Sequence, residues 1–292
     1  MNKKVRKAII PAAGWGTRFL PITKVIHKEL LPILKKPAIE ILIEEAFEAG
    51  IEEIILVISS RKQELKRYFE VNHDLELELF KNKKWDLLKS LKTTNINAKI
   101  RIVYQEKQLG LGHAIAVGAQ WIDDEPFAVI LGDDLIKSKE PAIKQLIREF
   151  DDKQASILGV QAVEERDLNK YGVVVPFKGY DPKDKSFKII GAVEKPKIEN
   201  APSNKAILGR YIFTPRIIDI LTNLKPSKTS NEIDVIDAFS KLLKEEDIYA
   251  YQFSGTRYDI GNIEGFVKAT IDYALDDDKL REVVLEHIKE KV

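Results

Sequence analysis

Cysteine is absent from all 292 residues. That excludes disulfides, a thiolate nucleophile, and zinc or iron–sulfur centres held by cysteine. Net charge is almost as scarce. With 47 Lys and Arg against 46 Asp and Glu, the formal charge is +1. Nothing global therefore draws the chain to nucleic acid or to an anionic membrane surface. Long apolar runs are missing too. The basic N-terminus is followed by an apolar stretch that contains Pro11 and ends at Gly14, too short for a signal peptide. No later stretch approaches a membrane span. A cytoplasmic protein with no membrane and no nucleic-acid partner is expected. Internal repeats, low-complexity tracts and a linker between independent domains are also lacking. The length suffices for one large core, so a single domain over 1–292 is expected.

What is present concentrates between Ala8 and Pro37, in AIIPAAGWGTRFLPITKVIHKELLPILKKP. Ala8-Ile9-Ile10 fits a strand buried on both faces. Gly14 and Gly16 follow, then Thr17, Arg18, Lys24 and Lys28, with no carboxylate before Glu29. Glycines let backbone N–H groups approach a ligand, and cations without counter-charges suit a polyphosphate. Two familiar phosphate loops do not match. The pattern G-x-x-x-x-G-K-[ST] is absent, and Phe19 stands where G-x-G-x-x-G needs its third glycine. Pro21 keeps a helix from following the turn directly.

AAGxGTRFLPxTK, followed by KELLPI and KP, resembles the signature of sugar-1-phosphate nucleotidylyltransferases, and within them the bacterial UTP–glucose-1-phosphate uridylyltransferases. Further family motifs arrive in order: LGLGHA, LGDD, YGVV, VEKP, LGRYIF and YDIG. The resemblance runs from Lys7 to about Leu275. It implies an α/β fold with a Rossmann-like, mainly parallel central sheet flanked by helices, and a small antiparallel extension over the ligand edge. It also implies a nucleotide-binding part over 1–150, a sugar-binding part over 151–262, and a C-terminal helical segment over 263–292.

Periodicity agrees with that architecture. Helical spacing from Ile39 to Phe47 between Pro37 and Gly50, then the apolar run Ile54–Ile58, reads as a βαβ unit. A helix is expected over Arg61–Phe69. Residues 74–92 alternate like a strand in LELEL yet also fit a helix; the resemblance favours helix and a contact with another subunit. Strands at Ile100–Tyr104 and Phe127–Leu131 flank a helix over Ala114–Trp121. A helix at Ala142–Phe150 and a strand at Ser156–Ala162 come next. Shorter strands are expected at Tyr171–Val175, Phe187–Glu194 and Ala206–Phe213. Helices follow near Pro215–Asn223 and Glu232–Lys244, then a strand over Ile248–Phe253 and a helical tail over Gly265–Ile288.

The implied reaction is attack of the glucose 1-phosphate anion on the α-phosphorus of UTP, with pyrophosphate leaving. A phosphate monoester with its second pKa near 6 is already anionic, so no general base is needed. The work is alignment and charge neutralisation. By resemblance, Arg18, Lys28 and Lys195 are the catalytic cations. Arg18 is placed on the β/γ-phosphates, Lys28 on the α-phosphate or the transition state, and Lys195 on the incoming phosphate, with Lys24 supporting either of the first two. Ala12, Ala13 and Gly14 meet the nucleotide through backbone, beside Gly16 and Thr17. Gln105 and Gly110 meet the base. Glu194, Gly172 and Gly209 face the hexose. Asp133, at the end of a buried strand, and Asp259 would hold Mg²⁺, which favours one or two carboxylates plus phosphate and water. A homodimer or homotetramer is implied.

An amide matches the imide edge of uracil and of thymine alike, so these residues leave UTP and dTTP undistinguished. A thymidylyltransferase on the same fold is the nearest alternative, and a mannose-1-phosphate guanylyltransferase a further one. A non-catalytic sugar-nucleotide-binding regulatory subunit is a reading from another class, but it would have no need of Lys28, Asp133 and Asp259. His27, Lys36, Ile260 and NEIDVIDA depart from the family pattern at the pocket rim.

Overall fold

A computed structural model describes residues 3–92, 99–228 and 230–291. In chain order, β1 (Lys7–Pro11) leads through three single 3-10 turns to a small ribbon, β2 (Pro32–Ile33) with β3 (Lys36–Pro37). Helix α1 (Ala38–Glu48) and β4 (Glu53–Ile58) follow, then α2 (Gln63–Tyr68), α3 (His73–Lys81) and α4 (Trp85–Lys92). Next come β5 (Lys99–Tyr104), α5 (Gly110–Ala119), β6 (Phe127–Ile130), β7 (Asp134–Lys137), α6 (Ala142–Lys153) and β8 (Ser156–Ala162). Strands β9 (Gly172–Pro176), β10 (Ser186–Glu194) and β11 (Lys205–Phe213) precede α7 (Arg216–Thr222) and α8 (Val235–Leu242). The chain closes with β12 (Ile248–Gln252), β13 (Thr256–Asp259), α9 (Ile263–Asp276) and α10 (Leu280–Lys291).

Nine strands form one sheet in the order β5-β4-β1-β6-β11-β8-β12-β10-β9. The first four are parallel; β11 enters antiparallel between β6 and β8, and β10 is antiparallel to β12 and β9. The antiparallel strands thus continue the central sheet. Continuous apolar runs are explained by cover on both faces. In β4, Ile54, Leu56 and Ile58 pack with Leu42 of α1 and Leu146 of α6. Ile55 and Val57 point the other way, toward Ile115 of α5 and Phe239 of α8.

Several boundaries differ from expectation for local reasons. Helix α5 starts on the glycine turn itself, at Gly110, because Gly112 N–H donates to the Ile233 carbonyl (2.9 Å) and Ile233 N–H to that of Leu109 (2.7 Å). Residues 73–92 are two short helices, the reading favoured by resemblance. The tail is broken at Asp277, whose Oδ1 accepts from Lys279 N–H (3.0 Å) and Leu280 N–H (3.1 Å), capping a second helix. The two-strand ribbon β7–β13 has no sequence signal, since each strand is four residues long. It matters most for the site: Asp259 pairs with Asp134 in its register.

Candidate active site

Parallel strands β1, β5 and β6 end on one edge of the sheet, bringing Ala12, Gln105 and Asp133 to that edge, with β4 between β5 and β1. In open α/β sheets that edge is where ligands are met. Two cavities lie there. One, of about 470 Å³, is bordered by Ala12, Ala13, Gly14, Gly16, Thr17, Lys28, Gln105 and Gly110. The other, of about 320 Å³, is bordered by Arg18, Gly172, Glu194, Lys195, Arg257 and Asp259. Asp133 and Glu232 line both, with Leu111 and Leu131.

The glycine turn is built for close approach. A Cβ on Gly14 would meet nothing within 4 Å, so that position opens onto free space. Gly16 is left-handed (φ +69°), where only glycine is unstrained, and Thr23 Oγ1 donates to its carbonyl at 2.8 Å. Buried Phe19 packs edge-on against Phe266, 5.7 Å between ring centres, which leaves Arg18 exposed at the border of the second cavity. The exposed rings of the loop include Trp15, over which the Arg61 guanidinium stacks at 3.7 Å.

Lys28 Nζ lies 2.7 Å from Asp133 Oδ2. Burial opposes the charge on each. Even so, Asp133 and Glu29 hold the Lys28 ammonium above the usual lysine range, and Lys28 holds the Asp133 carboxyl below the usual carboxylate range, helped by Arg257 and Arg18. Asp259 arrives from β13. A Cβ on Gly261 would sit 2.9 Å from both Asp133 Oδ2 and Asp259 Oδ1, so the two carboxylates converge on one spot. Among the described residues, no group of three or more His, Asp or Glu is placed to hold a metal ion. Two carboxylates beside a cavity lined by cations and glycine backbone suit a hard cation that completes its shell with ligand oxygens and water, and do not suit an all-protein cage.

Several residues that sequence reasoning passed over complete the site. Arg257 Nε donates to Asp134 Oδ1 (2.6 Å) and its Nη1 to the Tyr171 hydroxyl (2.8 Å). Burial pushes the Asp134 carboxyl up to about 6, despite Arg257, with Asp133 adding to the rise. Lys62, itself buried, donates to Glu29 Oε1 and Oε2 (2.9 and 2.7 Å) and to the Ala12 carbonyl (2.8 Å). Gln108 Nε2 donates to the Ala13 carbonyl at 3.0 Å. Glu232 stands against Gly110, where a Cβ on the glycine would come within 2.7 Å of its own Cβ. A lone Arg, Lys or Glu in a charged chain carries no signal of such placement. For Glu232, the one available clue was its place in NEIDVIDA, a stretch that departs from the family pattern at the pocket rim.

Not every expected residue reaches the cavities. Lys24 is exposed and lines neither. Gly209 lies behind the site: it is buried and left-handed (φ +65°), and Asp134 occupies the space beside it. Glu194 and Lys195 pair with each other at 2.9 Å at the end of β10. His27 contacts Glu64 on the surface at 2.9 Å.

Residues 7–275 match the family described as Nucleotidyl transferase. The chain belongs to that family. This nucleotidyl transferase is 46% identical over 287 residues to UTP–glucose-1-phosphate uridylyltransferase 2 of Staphylococcus saprophyticus, covering 98% of each chain. Its identity to the UTP–glucose-1-phosphate uridylyltransferase of Staphylococcus haemolyticus is also 46%, over 288 residues and 99% of each. Among solved structures, a UDP-glucose pyrophosphorylase complexed with UDP-glucose has a TM-score of 0.83 and 41% identity, with 94% of this chain and all of the other covered. The UTP-bound enzyme from Acinetobacter baumannii has a TM-score of 0.89 and 35% identity, with 98% and 99% covered. The enzyme is thus a nucleotidyltransferase of mixed α/β fold. Transferases of this kind generally use a divalent metal. No helix among the described residues is long and apolar enough to cross a membrane.

Proposed function

We propose that this chain transfers the uridylyl group of UTP to glucose 1-phosphate, giving UDP-glucose and pyrophosphate. One observation carries the reading: Lys28, Asp133 and Asp259 meet where a nucleotide-sized and a sugar-sized cavity join. The relatives and solved structures named above bear the same activity and ligands in their names.

A phosphate oxygen of glucose 1-phosphate forms a bond to the α-phosphorus. The bond from that phosphorus to its β-bridging oxygen breaks in line, and pyrophosphate leaves with the electron pair. Backbone at Ala12, Ala13 and Gly14, with Gln105 and Gly110, orients the base. Gly16 and Thr17 cradle the phosphates, and Lys28 neutralises charge at the α-phosphate. Arg18 reaches from the sugar side toward the same phosphates; Lys24, exposed and outside both cavities, could support them only by a movement of the loop. Lys195, released from Glu194, holds the incoming sugar phosphate, while Glu194 accepts from hexose hydroxyls beside Gly172. Asp133 and Asp259 are the residues that would hold Mg²⁺, whose charge would draw the two polyanions together. Gly209 acts indirectly, by making room for Asp134.

A cytoplasmic location belongs to the proposal, since both substrates are multiply charged solutes. So does a homodimer or homotetramer, supported by the exposed Phe80, Trp85 and Leu87 on α3 and α4. The test is pyrophosphate release with glucose 1-phosphate against UTP, dTTP, GTP and ATP in turn. UTP is expected to lead and Mg²⁺ chelation to stop turnover. Equal use of dTTP would assign the thymidylyl reading, and release with GTP alone would overturn the uridylyl one.

A further inference from the structure

Gln105 closes the base end of the nucleotide cavity and is 3% exposed. Both hydrogens of its amide are committed inside the protein. Nε2 donates to the Gly110 carbonyl at 3.3 Å and to Nδ1 of His113 at 2.8 Å. Its carbonyl oxygen accepts from no donor among the described residues, and it is not among the buried polar atoms that lack a partner. That oxygen is therefore the part of the amide open to the cavity. An amide could present either end to a base; here the choice is made by what stands behind it.

We propose that His113 is a positioning residue that fixes the Gln105 amide with its oxygen toward the base, so that the pocket selects an imide N–H and disfavours cytosine. Uracil and thymine carry a hydrogen on N3, which donates to that oxygen. Cytosine carries a lone pair on N3, which opposes it. The inference rests on the uridylyl reading above and adds a reason for the choice among pyrimidines. His113 can accept only as the neutral ring, with its proton on Nε2. Burial holds the ring below the usual histidine range, outweighing a hydrogen bond from the ring N–H to the Lys107 backbone carbonyl, and the nearby Lys107 charge acts in the same direction as burial. The histidine opens no route for catalysis of its own, since it sits behind Gln105 and borders neither cavity.

Asparagine provides the discriminating variant, because its side-chain oxygen can take the place of Nδ1 as acceptor. The experiment measures kcat and KM for UTP and CTP, with glucose 1-phosphate saturating, for the wild type, His113→Leu, His113→Ala and His113→Asn. The wild type is expected to favour UTP over CTP by about 100-fold in kcat/KM. In His113→Leu and His113→Ala the preference falls about tenfold, mainly through a higher KM for UTP, while His113→Asn keeps it. His113→Ala decides the matter if the leucine variant does not fold. An unchanged preference in both variants without the acceptor would overturn the inference, as would asparagine behaving like leucine. A wild type that turns over no UTP would instead remove the functional reading beneath it.

Discussion

Lys28 and Glu29 are neighbours in one 3-10 turn, and each enters an ion pair, but the two pairs meet different surroundings. Lys28–Asp133 borders the cavity of about 470 Å³, with the aspartate side chain 35% exposed. Glu29–Lys62 lies beneath the same loop, at 0% and 5%. Burial dominates in the second pair and pulls the Lys62 ammonium below the usual lysine range, whereas at Lys28 the neighbouring acids win. On the proposed reading, the cavity pair exchanges its partner for a ligand phosphate or a metal. The buried pair holds the Ala12 carbonyl and cannot let go without stranding a charge. Readiness to react and capacity to hold a backbone thus sit on adjacent residues, separated by solvent access.

The comparison breaks most sharply at Lys62. Lys62→Met should cost about 3–5 kcal/mol in chemical denaturation, by leaving Glu29 charged and unpaired, while the double variant with Glu29→Leu should recover much of that loss. If the single and double variants were equally unstable, the pair would not act as a unit. At the cavity pair the effect moves from stability to rate. Lys28→Ala should lower kcat by about 10²–10³-fold in the pyrophosphate assay and destabilise less than Lys62→Met. A smaller effect follows at the second carboxylate. Asp259→Asn should raise the Mg²⁺ concentration for half-maximal turnover about tenfold, with a similar rate at saturation.

Alkaline pH sharpens the contrast by sign. Lys28 has a folded pKa above 10.5, so its contribution is complete below pH 10.5 and is lost as pH rises through the folded value. Lys62 has a folded pKa below 10.5. There the unfolded chain binds the proton more strongly, so stability rises with pH up to 10.5. Denaturation midpoints between pH 9 and 11.5 should therefore lose a falling component in Lys28→Met and a rising one in Lys62→Met. Matching slopes in the two variants would contradict the difference in burial.

Much of this was readable in the chain because it is local. The apolar runs of β1, β4 and β6 announce a sheet covered on both faces, and a glycine turn with unpaired cations announces a phosphate cradle. Elements that depend on partners were less legible. The start of α5 depends on Ile233, far along the chain, and the ribbon β7–β13 is too short for periodicity to register. Gly209 looked like a ligand contact from its motif, yet its left-handed backbone serves the space taken by Asp134.

By itself, the sequence determined the class of fold, the family and the stretch to look to for a ligand, since period, turn residues and motif spacing act over a few neighbouring positions. Only the tertiary structure decided that Lys28 meets Asp133, 105 residues away, that Glu29 turns inward to Lys62, and that His113 accepts a hydrogen bond from Gln105. Those choices depend on which groups lose water together, and desolvation is a property of packed neighbours that no single segment carries.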